Sequence, residues 1–227
     1  MLHVRIRHRI GSLRIDAGFT APDRGVTALY GPSGSGKTTL VNAVAGLVRP
    51  DGGRIAAGER ILFDSATRTF VPPERRRVGY VFQDGRLFPH MSVRSNLVYG
   101  MRRGTAGERR VNLERIVDLL GIGGLLGRRP ATLSGGEKQR VAIGRALLAS
   151  PRILLMDEPL ASLDPARKDE VLPFVSLLAR DIGLPILYVS HSVDEILRVA
   201  DVVVHLVGGR CAASGRVERM LLPLTGS

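Results

Sequence analysis

Gly31-Pro-Ser-Gly-Ser-Gly36-Lys37-Thr38 is the stretch on which the fold turns. An apolar run, Val26–Tyr30, leads into it, and a helical pattern from Lys37 to Ala45 leads out and stops at Gly46. Strand, glycine-rich loop and helix in that order form the context in which this spacing cradles phosphate. The glycines let the backbone curl so that successive N–H groups point inward, and the helix N-terminus adds its positive dipole end. Lys37 is suited to neutralise β- and γ-phosphate charge, and the Thr38 hydroxyl to sit on Mg²⁺. The candidate nucleotide-binding residues are therefore Gly31, Pro32, Ser33, Gly34, Ser35, Gly36, Lys37, Thr38 and Thr39.

Working outward, Leu2–Ile6 and Leu13–Phe19 alternate apolar and polar residues around Gly11, which predicts an antiparallel pair. Arg54–Phe63 predicts a strand or hairpin turning at Gly58, and Val78–Gln83 a further strand. Helical patterns follow at Val93–Tyr99, Leu113–Leu120 and Glu137–Leu148. Strand signals return at Ile153–Asp157, Ile186–Ser190 and Val202–Leu206, with helices between them. This alternation implies an α/β fold with a mostly parallel sheet covered on both faces. The expected division is one domain over 1–227. Residues 1–83 and 150–227 form its core and 84–149 an inserted helical subdomain.

Two further motifs carry chemistry. Ile153-Leu-Leu-Met-Asp157-Glu158 is a buried strand ending in two acids. Open α/β sheets bind ligands at the carboxyl ends of their strands, so Asp157 suits a Mg²⁺ shell and Glu158 suits an attacking water. Leu133-Ser-Gly-Gly-Glu-Lys-Gln-Arg140 precedes a helix. Ser134 with Glu137 makes a capping box, but capping does not account for two consecutive glycines. Bare glycine N–H groups at a helix start suit an anion. One chain already has its phosphate cradle, so a second anion-binding end, Ser134, Gly135 and Gly136, invites another copy of the chain.

The bulk composition is that of a globular protein, with 44% hydrophobic and 24% charged residues. No apolar run approaches the roughly 18 residues needed to span a bilayer, and the N-terminus reads as a strand rather than a secretion signal; a cytosolic chain is expected. Cys211, the only cysteine, reads as a small reduced core residue. The net charge of +12 comes mainly from arginine, since Lys37, Lys138 and Lys168 are the only lysines. The arginines occur as Arg75–Arg77, Arg102–Arg103, Arg109–Arg110 and Arg128–Arg129 without interleaved aromatics. They read as a solvated face, and no nucleic-acid groove is expected.

The phosphate loop, the Leu-Ser-Gly-Gly-Glu segment and the apolar strand ending Asp157-Glu158, in that order, resemble the ATP-binding cassette (ABC) family over essentially the whole chain. The resemblance implies a P-loop NTPase fold, ATP and Mg²⁺ as cofactors, and a nucleotide sandwiched between two copies. It assigns Gln83, at the end of its strand, to Mg²⁺ or the water, and His191 to the γ-phosphate. It assigns Ser162-Leu163-Asp164 to the loop that crosses the dimer interface, with Asp164 near the nucleotide. Glu158, His191 and Gln83 become the catalytic candidates, and Thr38, Gln83 and Asp157 the metal candidates. One departure is plain: the region His8 to Leu13, where the family stacks an aromatic ring on adenine, has no Phe, Tyr or Trp. His8 is the substitute at hand, and loose base selectivity is expected.

A lone cassette without spans resembles a prokaryotic importer subunit, held on the cytoplasmic face of the membrane by permease subunits and fed by an external solute-binding protein. Gln83–Ser92 and Asp157–Asp164 are similar to importers of oxyanions and other small solutes. Pro73–Asp84, Ser134–Leu147 and Leu187–Ile196 lean towards the ATPases of molybdate importers. Sulfate or another oxyanion is the alternative cargo. A non-transport cassette is the more distant alternative, disfavoured because no sustained heptads separate Lys37 from Asp157 and the chain holds one cassette. Those molybdate ATPases continue into a C-terminal oxyanion-binding β domain. This sequence ends at Ser227, and regulation by bound oxyanion is not expected within it.

Overall fold

Leu2, Val4 and Ile6 are buried while His3, Arg5 and Arg7 face solvent, so the first strand shows one apolar face and one charged face. The computed structural model describes residues 1–101 and 112–221; the arginine pairs 102–103 and 109–110 lie outside them. β1 (Leu2–Ile10) pairs antiparallel with β2 (Leu13–Ala21) around Gly11, whose φ of 56° suits the tight turn. β1 also pairs with β4 (Gly52–Ala57), which continues through β5 (Arg60–Asp64) to β6 (Thr69–Phe70). This antiparallel sheet has the order β2-β1-β4-β5-β6.

The second sheet has the order β11-β10-β3-β9-β8-β7, from β3 (Gly25–Tyr30), β7 (Val78–Val81), β8 (Ile153–Asp157), β9 (Pro185–Val189), β10 (Val202–Val207) and β11 (Arg210–Arg216). Every neighbouring pair is parallel except the β10–β11 hairpin. Its central strands β3, β9 and β8 are buried on both faces, which is why they read as apolar runs rather than alternations. Ile153, Leu155, Leu187 and Val189 point into one core, Leu154, Met156, Ile186 and Tyr188 into the other.

The first core lies between the two sheets and holds α1 (Lys37–Ala45) through Leu40, Val41 and Val44. The second lies beyond the parallel sheet. It holds α3 (Val93–Met101), α4 (Leu113–Leu119), α5 (Gly135–Leu148), α6 (Pro165–Asp181) and α7 (Val193–Val199). Thus α1 and α5, the two helices with glycine-rich starts, occupy opposite faces of one sheet. α2 (Pro73–Arg76) precedes β7, and α8 (Val217–Met220) follows β11.

Three expectations need correction. The strand expected to end at Gln83 ends at Val81, and Gln83 lies exposed in the following turn. The triplet Arg75–Arg77 is not a solvated face throughout. Arg76 is 2% exposed and donates to the carbonyls of Val71, Ala43 and Val44 at 2.6, 2.7 and 2.9 Å. Burial pulls its pKa down to about 10. Its charge rests against the carbonyl end of α1, where the helix dipole is negative, and over the Phe70 ring. Cys211 is only partly buried, on a strand that no apolar alternation announced.

Candidate functional site

The loop between β3 and α1 is shaped by contacts that only glycine allows. A Cβ on Gly31 would lie 2.0 Å from the Leu206 carbonyl oxygen, at a φ of 152°. A Cβ on Gly36 would lie 2.9 Å from Ile15 Cδ1, at a φ of 97°. Gly36 is also the N-cap of α1, so no side chain covers the helix start and its N–H groups stay open. Pro32, Ser33 and Gly34 are exposed at the rim, Ser35 is buried beneath them, and Thr39 is half-buried on the first turn.

Lys37 is 4% exposed and donates to the carbonyls of Gly31 and Pro32 at 2.8 and 2.9 Å. It is folded back under its own loop as a strut. Burial pulls its pKa below the ordinary lysine value, and the nearby Glu158 and Asp157 charges oppose that pull.

Adjacent strands bring the acids to this loop. β8 ends at Asp157, in register with Val189 of β9. Thr38 Oγ1 donates to Asp157 Oδ1 at 3.1 Å, and Tyr80 Oη lies 3.1 Å from Oδ2. Burial raises the Asp157 carboxyl above the usual aspartate range, while the hydrogen bonds from Tyr80 and Thr38 pull it down. The Thr38 hydroxyl and the Asp157 carboxylate are hard oxygen donors side by side, a donor set that fits Mg²⁺.

Glu158 takes a left-handed backbone, φ 45°, with its N–H on the Val189 carbonyl at 3.1 Å. A non-glycine residue held there is strained. Its Oε2 lies 3.4 Å from His191 Nδ1, so the ends of β8 and β9 present a carboxylate–imidazole pair.

The turn that carries His191 is pinned from below. Glu195, 3% exposed, accepts hydrogen bonds from Lys168 at 2.7 Å, Tyr188 at 3.0 Å and Ser190 at 2.8 Å. Ser190 in turn accepts from the Ser192 N–H at 3.0 Å. Sequence reasoning passed over Glu195, Tyr80 and Asn42. The signal available for Tyr80 was parity, since it stands opposite Leu155, which shares a strand face with Asp157.

The remaining candidates stand apart from this cluster. Gln83 is exposed, two residues beyond the end of β7 and at the same sheet end as Asp157. Ser134 caps α5 in a complete capping box with Glu137. Gly135 and Gly136 open that helix, and a Cβ on Gly135 would lie 2.6 Å from Leu163 Cδ2. Packing against Leu163 is thus a second reason for glycine there. Asp164 is the N-cap of α6, its Oδ1 accepting from the Arg167 N–H at 3.0 Å. His8 Nδ1 lies 3.3 Å from Asp51 Oδ1, without a hydrogen bond between them.

Loop, acids and imidazole thus converge at the carboxyl ends of β3, β8 and β9. The chain is 62% identical over 221 residues to the molybdenum import ATP-binding protein ModC of Rhodospirillum rubrum. It is 61% identical over 231 residues to the same-named protein of Paramagnetospirillum magneticum. These alignments cover 97% and 100% of this chain but 60% and 63% of those proteins, so the chain spans under two thirds of their length. A solved nucleotide-free ATP-binding cassette from an ABC transporter superposes with a TM-score of 0.83 at 25% identity, covering 100% of this chain and 95% of that one. The ABC transporter family model matches residues 16–161, from the second strand through the phosphate loop, the capped glycine helix and the paired acids, and the chain belongs to that family.

Proposed function

We propose that this chain is the ATP-binding and ATP-hydrolysing subunit of a prokaryotic importer, with molybdate as the cargo. The observation that carries the ATPase reading is the convergence of Lys37, Thr38, Asp157, Glu158 and His191 on one loop. The cargo assignment comes from the two relatives named as molybdenum import proteins, and sulfate or another oxyanion is the competing cargo. None of the residues described touches cargo in this reading. Selection belongs to permease subunits and an external solute-binding protein, with the chain on the cytoplasmic face. Among the described residues, no helix is long and apolar enough to cross a membrane. Nucleic acid is not an expected partner.

In this reading the backbone N–H groups of Gly31–Thr39 and the start of α1 hold the phosphates. Lys37 swings from its two carbonyls to the β- and γ-phosphates. Thr38 and Asp157 hold Mg²⁺, with Gln83 reaching in from the edge; the ion, when bound, neutralises phosphate charge. Glu158 orients the attacking water or takes its proton, and His191 steadies the γ-phosphate beside it. Residues 1–83 and 150–227 act as the nucleotide-binding core, and 84–149 as the helical subdomain.

The site is completed by a second copy. α1 and α5 pack on opposite faces of one sheet, which supports a role for Ser134, Gly135 and Gly136 on another chain's nucleotide. They cap the γ-phosphate held by the partner, with Asp164 at the seam.

The test is twofold. Purified chain should hydrolyse ATP, and cells lacking the chain should lose molybdate uptake and regain it on complementation. Absent hydrolysis by chain joined to its permease would sink the ATPase reading. Restored uptake of sulfate but not molybdate would move the cargo assignment.

A further inference from the structure

We infer that Tyr80 is a positioning residue for the metal-facing carboxylate of Asp157, and that Asn42 holds Tyr80 in that role. The inference rests on the reading of Asp157 as a Mg²⁺ ligand.

Both oxygens of Asp157 are engaged, Oδ1 by Thr38 and Oδ2 by Tyr80, each at 3.1 Å. Tyr80 Oη also lies 2.9 Å from Asn42 Oδ1 as that amide is placed. A phenol has a single proton and cannot donate to two acceptors. The carboxylate is the stronger acceptor, so it takes that proton. The amide, whose oxygen and nitrogen exchange on a half-turn of its end, then donates N–H to the phenol oxygen. Donation runs from Asn42 to Tyr80 to Asp157.

The elements make this a closed loop. Thr38 and Asn42 sit four residues apart on α1 and share one face. Tyr80 pairs with Leu155, two residues before Asp157, so both side chains point to the α1 side of the sheet. One helix therefore grips the carboxylate twice, directly through Thr38 and through a phenol anchored by Asn42. The two grips set the carboxylate's rotation and keep Oδ1 turned to the threonine hydroxyl. Phenylalanine would fill the same space and keep the stack on Phe82, whose ring centroid is 4.1 Å away. It would leave Oδ2 without its donor.

If Tyr80 served packing alone, its hydroxyl would affect folding stability and leave metal dependence unmoved. Metal dependence is therefore the readout. ATP affinity of the purified chain is measured by equilibrium binding across a Mg²⁺ titration and in EDTA, for the parent, Tyr80→Phe, Asn42→Ala and Asp157→Asn. Tyr80→Phe should raise the Mg²⁺ concentration for half-maximal effect by roughly 10- to 100-fold, the usual penalty for losing a partner behind a metal ligand. Its affinity in EDTA should stay at the parent value. Asn42→Ala should shift the requirement the same way by less, and it carries the test if Tyr80→Phe fails to fold. Adding Tyr80→Phe to Asp157→Asn should raise the Mg²⁺ requirement no further. An unchanged Mg²⁺ requirement in Tyr80→Phe, with Asp157→Asn clearly shifted, would overturn the inference. No shift in Asp157→Asn itself would instead bring down the metal-ligand reading on which it stands.

Discussion

Lys37 is a charge kept in reserve: buried, folded onto two carbonyls of its own loop, with its pKa held below the ordinary lysine value. Lys37→Ala should weaken nucleotide binding and hydrolysis together, and unchanged ATP affinity with Mg²⁺ present would count against the loop. Glu158→Gln keeps shape and loses charge. Turnover should fall by roughly 10²- to 10⁴-fold while ATP still binds, as single-turnover kinetics would record. Asp157 gives a pH prediction. Its folded pKa is raised above 3.8 by burial, so folding favours the protonated form. Stability tied to this group is fullest below 3.8 and declines as pH rises through the folded value. Asp157→Asn should therefore raise the Tm of the ligand-free protein at pH 7. The difference should fade as the pH falls towards 3.8, where the parent carboxyl also carries its proton.

At the scale of elements, α1 is held at its C-terminal end and midway along by the segment that runs from α2 into β7. Arg76 donates to its last carbonyls, and Tyr80 meets Asn42 midway along. Gly46 ends the helix at φ 83°, and a Cβ there would lie 2.5 Å from Arg76 Nε. Arg76→Ala strips donors from two buried carbonyls and a partly buried one, and should destabilise the fold by about 2–4 kcal/mol in denaturant titrations. A near-neutral effect would mean water replaces the guanidinium. The arginine triplet looked like surface because its composition carries no record of burial. One arginine is buried because it adds donors at a helix end, on the Ala43 carbonyl beside the Gly46 N–H and on the Val44 carbonyl. The capping box of α5 was legible in Ser134 and Glu137, since it depends on residues three apart. The contact of Gly135 with Leu163 was not, because it depends on how α6 docks.

For the whole molecule, the separation of α1 and α5 by the parallel sheet makes the shared site testable. Ser134→Arg adds bulk at the seam and should leave ATP binding by one chain intact. Mixed with Lys37→Ala, it should form heterodimers in which one site carries both defects and the other neither. Hydrolysis should then partly recover, although each homodimer is nearly inactive. No recovery, with heterodimers shown by pull-down, would mean that each chain completes its own site.

The strand–loop–helix around Lys37, the two-faced apolar strands and the paired acids were readable from residue order alone. Each is local, set by the backbone freedom of glycine, the period of burial and the end of a strand. The parallel order of the six-stranded sheet decided the rest. It set Asp157 beside Thr38 and Glu158 beside His191, residues far apart in the chain whose proximity no local pattern encodes. It also aligned Tyr80 with Asp157, and only in that register does a tyrosine at the end of an edge strand become the second grip on the carboxylate.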